Sequence, residues 1–166
     1  MVSGRSMQLT KQVGEYLVAA ELCRRGLIAT TFTGNVPTFD ILAINRDYET
    51  IPIQVKTIRG RTWQFNAREF LSIDITNGVQ TVAGKTDLPY PDLICVFVKL
   101  VEDGRDRFYV FQLKALQELI FQDYGEFLRK KGGIRPRNRD STHTAVRPAS
   151  LAEFEDNWEL ILGERA

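Results

Sequence analysis

The chain has 166 residues, of which 43% are hydrophobic and 26% are charged, a composition typical of one globular domain with its own core. We therefore treat residues 1–166 as a single domain. The formal net charge is only +1, which argues against a protein that coats nucleic acid through its global charge. No apolar run approaches the ~20 residues of a membrane span, and the N-terminus lacks the apolar core of a signal peptide. We expect a cytoplasmic protein without a membrane partner.

Few residues are suited to nucleophilic or zinc chemistry. Cys23 and Cys95 lie in apolar surroundings without C-x-x-C spacing, which predicts two buried, reduced thiols. His143 is the single histidine, so histidine-based zinc sites and Ser-His or Cys-His pairs are unfavourable interpretations. An enzyme of this composition would rely on carboxylates, lysine and a hard metal ion.

The first predicted element is a helix over residues 8–26. Apolar residues recur in it at steps of three or four, and Gly26 is a suitable C-terminal stop. Glu15 lies beside the apolar stripe of this helix, where a glutamate most often faces solvent. A first short strand is predicted at residues 28–33.

The central stretch of the chain predicts a β-hairpin. Two short apolar runs, residues 39–44 and 51–56, are separated by the polar residues 45–47. Runs of this length that are rich in branched residues and bounded by turn formers are typical of paired strands.

The hairpin brings three polar residues together. Side chains alternate along a strand, so Gln54 and Lys56 share one face, opposite to that of Ile53 and Val55. Asp40 lies near the start of the partner strand and can approach that pair. An acid, an oxygen ligand and a lysine in one place can hold a hard cation beside a phosphate.

The second half of the chain predicts further elements. Residues 67–71 suggest a short helical turn, whereas residues 72–91 predict turns without clear strands. Residues 92–100 are almost continuously apolar, as in a strand buried on both faces. A strand at 107–113 and a helix at 114–131 follow, and a capping-box pattern at 150–153 predicts a last helix that ends at about residue 162.

Two basic segments are candidates for nucleic-acid binding. The first is a turn at Arg59 and Arg61, followed by Trp63, which we expect to be a core or interface residue. The second carries six cations before the next acid, on a stretch rich in glycine and proline that predicts a mobile loop: Arg129, Lys130, Lys131, Arg135, Arg137 and Arg139. Basic runs are often only solvated loops, but clustered cations also suit a phosphate backbone.

Glu15, Asp40 and the triplet Gln54-Val55-Lys56 together resemble the motif of the PD-(D/E)xK nuclease superfamily. Archaeal Holliday-junction resolvases, many restriction enzymes and a bacterial group I intron homing endonuclease belong to this superfamily. Two departures stand out. Phe39 precedes Asp40, so that Pro37 is the candidate for the family's proline, and a glutamine replaces the second acid, giving Q-x-K with one negative charge fewer.

The resemblance implies an α/β (α+β) fold of the restriction-endonuclease type, a mixed sheet flanked by helices on its two faces. It implies Mg²⁺, with Mn²⁺ as a substitute, held by Asp40, Gln54, the Val55 carbonyl group and Glu15. Lys56 would orient the attacking water or neutralise developing charge. The substrate would be double-stranded or branched DNA, and a duplex cut on both strands favours a homodimer or homotetramer.

Three interpretations remain open at this point. In the first interpretation, the chain is a metal-dependent DNA endonuclease of the homing, restriction or resolvase kind. Alternatively it is a DNA-binding protein whose nuclease site has decayed, which Gln54 favours. In the third interpretation it is an interaction domain, and Gln54 and Lys56 are ordinary polar residues on the wet face of a strand.

Overall fold

The computed structural model describes residues 4–32 and 37–163, and the elements below belong to these residues. The helices are α1 (Gly4–Arg24), α2 (Leu113–Lys130) and α3 (Glu159–Leu162), with 3-10 turns at Ala67–Glu69 and Pro148–Phe154. The strands are β1 (Ile28–Thr31), β2 (Ile41–Ile44), β3 (Thr50–Ile58), β4 (Trp63–Asn66), β5 (Leu71–Thr76), β6 (Val79–Lys85), β7 (Ile94–Lys99), β8 (Arg107–Gln112) and β9 (His143–Val146).

A five-stranded mixed sheet organises the chain in the order β1-β2-β3-β7-β8. β3 and β7 are parallel, and the other neighbouring strands are antiparallel. All residues of β7 from Ile94 to Val98 are buried, which confirms the prediction of a strand covered on both faces. Two smaller antiparallel pairs, β4 with β9 and β5 with β6, lie outside this sheet.

The two long helices cover opposite faces of the sheet, as the sequence predicted. Val18 and Leu22 of α1 pack in a core with Ile53 of β3, whereas Leu116 of α2 packs in a second core with Phe97 of β7. Burying one such side chain contributes roughly 1.5–3 kcal/mol, so each helix is held to the sheet mainly by its apolar face. The fold is therefore the predicted mixed sheet flanked by helices.

The hairpin of β5 and β6 occupies the stretch to which the sequence assigned only turns. Asn77 and Gly78 both have positive φ (52° and 74°), which suits the tight turn of a hairpin. The strands escaped prediction because β6 inverts the usual pattern, with Val79 exposed and Gln80 buried.

The prediction of one continuous last helix was wrong. The chain forms a 3-10 turn at Pro148–Phe154, leaves helical geometry, and forms the short helix α3 only after residue 158. Glu155 makes a β-bridge with Tyr109 of β8, and Asp156 adopts a φ of 52°. Pairing with the sheet therefore interrupts the helix that the capping pattern favoured.

The two thiols also differ from each other, because Cys95 is buried in β7 whereas Cys23 is exposed on α1. The prediction of two buried thiols is thus wrong for Cys23, whose side chain lies on the outer side of the helix. Burial raises the pKa of the Cys95 thiol to about 12.

Among the described helices, none combines the length and the apolar character that crossing a bilayer requires.

Candidate active site

The candidate site lies where β3 continues beyond the end of β2. β2 pairs with β3 only as far as Ile53, and Asp40 stands immediately before β2. The main-chain N–H of Asp40 donates to the Ile53 carbonyl (2.9 Å), and Asp40 Oδ2 accepts the N–H of Val55 (2.8 Å). Since the N–H and C=O groups of one strand residue point to the same side, the Val55 carbonyl also faces this open edge.

Gln54 and Lys56 alternate with buried residues of β3, and both are half-buried. Continuing the register of β2 with β3 places Asp40 opposite Gln54. The main-chain carbonyl of Lys56 accepts a hydrogen bond from Trp63 Nε1 (3.1 Å), and Lys56 Nζ lies 5.6 Å from the centre of the Phe65 ring. A hydrogen bond thus fixes the main chain of Lys56, and the Phe65 ring lies near its ammonium group.

Helix α1 brings a second carboxylate to this edge. The ammonium group of Lys11 lies 3.0 Å from Asp40 Oδ1 and 3.5 Å from Glu15 Oε1. The Asp40 and Glu15 side chains are only 14% and 15% exposed, whereas the Lys11 side chain is 55% exposed. A half-exposed cation therefore bridges two largely buried carboxylates from different parts of the chain.

The charged groups at this edge shift one another's pKa values. Burial, and then the neighbouring Asp40 charge, raises the pKa of Glu15 above its ordinary value. The hydrogen bond with Asp40 raises the pKa of Lys11, so this lysine stays protonated at neutral pH. Lys11 is the cation that contacts both carboxylates, and a divalent cation in its place would carry the charge of both.

A glycine allows α1 to approach β3 closely. A Cβ atom on Gly14 would lie only 1.8 Å from Thr57 Oγ1, so no larger residue fits without moving the helix. The Thr57 hydroxyl is buried and has no hydrogen-bond partner among the described residues. This contact places the residues on either side of Gly14, Lys11 and Glu15, above the open edge of β3.

The donors at the open edge suit a hard divalent cation. They are the carboxylates of Asp40 and Glu15 and the carbonyl oxygen of Val55, and Mg²⁺ prefers oxygen ligands of this kind. The Gln54 amide is a further candidate, on the face of β3 that packs toward α2. Within residues 4–32 and 37–163, no group of three or more His, Cys, Asp or Glu side chains is arranged to hold a metal. A metal here would therefore need the amide or the main-chain carbonyl to complete its ligands.

The first basic segment lies next to this edge, in the turn between β3 and β4. Arg59 Nε donates to Thr10 Oγ1 of α1 (3.2 Å), and the Arg59 carbonyl accepts a hydrogen bond from Lys99 Nζ (2.7 Å). Arg61 is exposed in the same turn. Trp63 is 3% exposed, which confirms its prediction as a core residue. The turn thus adds exposed positive charge just beyond Lys56.

The second basic segment, residues 129–139, begins in the last two residues of α2 and continues in the chain that follows the helix. Residues 129–141 are called the basic loop. The sequence predicted a mobile loop, but the structure shows it anchored on the hairpin of β5 and β6. Gln80 Nε2 donates to the carbonyl groups of Arg139 (2.5 Å) and Ser141 (3.0 Å), and Gln80 Oε1 accepts the hydroxyl of Tyr124 (2.6 Å). Gly133 also lies against β6, since its carbonyl accepts the main-chain N–H of Gln80 (2.8 Å), while its own N–H donates to the Leu128 carbonyl of α2 (2.8 Å).

The cations of the basic loop have different surroundings. Arg135 lies over two aromatic rings of α2, 5.7 Å from the Tyr124 centre and 5.2 Å from the Phe127 centre. Lys130 Nζ is paired with Glu126 (2.7 Å). Arg129 is exposed at the end of α2, and three further cations are exposed beyond the helix: Lys131, Arg137 and Arg139. These three form the part of the loop that is open to a large anionic partner.

Two residues of the open edge escaped the reasoning from sequence. Lys11 could have been found as the residue one helical turn before Glu15. Gly14 could have been suspected because a glycine inside a helix costs about 1 kcal/mol relative to alanine and often marks a close approach.

Comparison with known proteins supports the fold. No family model and no curated protein sequence matches the chain. Among solved structures, the bacterial homing endonuclease I-Ssp6803I matches with a TM-score of 0.50 and 13% sequence identity. The match covers 95% of this chain and 93% of that chain. At this identity the likeness shows a shared fold, which confirms the predicted mixed α+β architecture.

Proposed function

We propose that this chain is a metal-dependent endodeoxyribonuclease of the PD-(D/E)xK type with a Q-x-K motif. The observation that carries the proposal is that Lys11 joins Glu15 to Asp40, and that Asp40 stands opposite Gln54 at the end of β2. Gln54 and Lys56 share the face of β3 that packs toward α2, since their partners on β7, Cys95 and Phe97, lie in the α2 core. A solved structure that shares this fold is a bacterial homing endonuclease, which supports a nuclease over an interaction domain.

Each residue at the edge has a proposed role. Asp40, Glu15, the Gln54 amide oxygen and the Val55 carbonyl would hold Mg²⁺, or Mn²⁺ as a substitute. When bound, such a metal polarises a phosphate oxygen and lowers the pKa of its bound water. Lys56 would donate a hydrogen bond to the scissile phosphate and neutralise charge that develops on it. Asp40 is held in place by the Val55 N–H, so it is preorganised before substrate arrives.

The DNA would follow the positive charge on either side of the site. Arg59 and Arg61 lie in the turn just beyond Lys56, and the basic loop supplies the exposed Lys131, Arg137 and Arg139. Contacts of this kind bind the phosphate backbone and weaken as salt concentration rises. Because a duplex has two strands to cut, we propose a homodimer or homotetramer, which light scattering with and without DNA would test.

The direct test is cleavage of supercoiled plasmid, linear duplex and four-way-junction DNA in Mg²⁺, Mn²⁺ or EDTA. We expect nicked or linear product with the metal ions and none in EDTA. Asp40→Asn and Lys56→Met should each reduce the cleavage rate by a factor of about 10²–10³, the usual effect of removing a group that stabilises the transition state. Lys114→Met, which removes an exposed lysine paired with Asp92, serves as the control. Equal cleavage by Asp40→Asn would contradict the proposal.

Gln54 supports one alternative, a DNA-binding protein of the same fold whose nuclease site has decayed. An amide binds a divalent cation less tightly than a carboxylate does, and one negative charge is missing from the site. Calorimetry distinguishes the two functions, because the decayed protein would bind DNA but take up no Mg²⁺. If the site has decayed, the Gln54→Glu variant should take up Mg²⁺ where the parent protein does not. If the chain is an active enzyme, the parent protein already takes up Mg²⁺.

A further inference from the structure

The cation at the open edge of β3 is a side chain of the protein itself. Lys11 Nζ contacts both Asp40 (3.0 Å) and Glu15 (3.5 Å), the two carboxylates that the proposed function assigns to metal binding. The tip of Lys11 therefore stands in the space between them, which is the space that a shared divalent cation needs.

We propose that Lys11 is a resident counter-ion of the site, which competes with the divalent metal for Asp40 and Glu15 and must leave before the metal binds. The inference rests on the proposed function, because it takes the same two carboxylates as metal ligands. It adds Lys11, which lies outside the Q-x-K motif, and an exchange of the Lys11 ammonium group for a divalent cation before catalysis.

The surroundings of the three groups explain why such a counter-ion is needed. Asp40 and Glu15 are both largely buried, so without a cation their negative charges would repel each other in a poorly hydrated place. Lys11 reduces this repulsion and keeps the two carboxylates close together before a metal arrives. The edge therefore keeps its shape in the metal-free protein.

The same contacts allow Lys11 to leave. Its side chain is 55% exposed and has a long, flexible stem, so the ammonium can move into water without disturbing α1. Ion pairs at this level of exposure contribute little net free energy. A divalent cation carries twice the charge and can displace the ammonium, but its observed affinity is reduced by the competition.

The test is calorimetric titration of the full chain with Mg²⁺ and with Mn²⁺, without DNA. Lys11→Met should bind both ions about two- to fivefold more tightly than the parent, the factor expected when an exposed ion pair no longer competes. Lys11→Arg keeps the charge and should bind with nearly the parental Kd. Lys114→Met removes a lysine of matching exposure from an ion pair elsewhere and should also leave the Kd unchanged.

A second readout does not depend on titration heats. In EDTA, Lys11→Met should melt at a lower temperature than the parent, because Asp40 and Glu15 then face each other without a cation. Addition of Mg²⁺ should raise its melting temperature by more than it raises that of the parent.

The outcomes separate the two proposals. An equal or weaker Mg²⁺ affinity of Lys11→Met, with uptake still abolished by Asp40→Asn, would overturn the role of Lys11 and leave the metal-dependent nuclease standing. Absence of uptake by both the parent and Lys11→Met, or equal uptake by Asp40→Asn, would overturn both.

Discussion

The open edge of β3 and the basic loop both concentrate charge, but the protein stabilises that charge in opposite ways. At the edge, Asp40 and Glu15 are largely buried and share a single exposed ammonium group. In the basic loop the cations are exposed, and the main chain that carries them is fixed by Gln80. The edge is built to exchange a cation, whereas the loop is built to present cations to a partner at fixed positions.

The largest expected effect concerns the packing under the edge. Gly14→Ala should lower the free energy of unfolding by about 2 kcal/mol, because the new methyl group overlaps Thr57 and forces α1 away from β3. The movement separates Glu15 from Asp40, so cleavage should fall by more than roughly tenfold, since displacements of about 1 Å are costly to catalysis. Urea denaturation and plasmid nicking measure the two effects.

Gly125→Ala is the matched control for this prediction. Gly125 lies in α2, and a Cβ atom there would have no neighbour within 4 Å. Alanine should therefore stabilise the protein by up to about 1 kcal/mol through helix propensity alone. If Gly14→Ala proved as stable and as active as Gly125→Ala, the close approach of α1 would not matter for the site.

The next effect concerns the loop and should leave the edge untouched. Replacing Lys131 and Arg137 together by alanine should weaken DNA binding roughly tenfold at moderate salt and reduce the slope of log Kd against log salt concentration by about 2, because two phosphate contacts are lost. Mg²⁺ affinity should be unchanged. Fluorescence anisotropy over a salt series, together with calorimetry, checks both statements, and a parallel loss of Mg²⁺ affinity would show that the two regions are coupled.

The smallest effect concerns a charged pair that is already balanced. Arg107 donates two hydrogen bonds of 2.6 Å to Glu155, and these lower the pKa of the glutamate below its ordinary value. The stabilisation is therefore present at neutral pH and is lost as the pH falls through that lowered pKa. Arg107→Gln should cost no more than about 1 kcal/mol near neutral pH, since the pair is partly exposed.

The pH dependence provides the check on this pair. The difference in unfolding free energy between the parent and Arg107→Gln should vanish at pH values well below the ordinary pKa of glutamate. Urea denaturation at neutral and acidic pH measures it. A difference of the same size in acid would mean that Arg107 acts through its guanidinium group over the Tyr109 ring, 5.5 Å from the ring centre, and not through the charge of Glu155.

The sequence predicted the elements whose pattern is local. The apolar run of β7, the helical period of α1 and α2 and the hairpin of β2 with β3 are all visible within short windows. The hairpin register also predicted that Asp40 approaches Gln54, and the structure places the two opposite each other. Their role in metal binding remains a prediction.

The features that escaped prediction depend on contacts between distant residues. Helix α3 is shortened because Glu155 pairs with β8, and β6 buries Gln80 because its amide holds the basic loop. The bridge from Lys11 to Asp40 joins α1 to the start of β2, and nothing in either segment specifies the other. Tertiary packing decides such cases, and a single sequence does not report it.

The seating of the basic loop on β6 has a consequence for engineering. A Cβ atom on Gly133 would lie 2.8 Å from the main-chain oxygen of Gln80, so this glycine and the Gln80 amide form a fixed joint between the two segments. The outward side chains of the loop lie beyond that joint. They can be exchanged to present a different pattern of charge, while the glycine and the amide that fix the loop tolerate almost no variation.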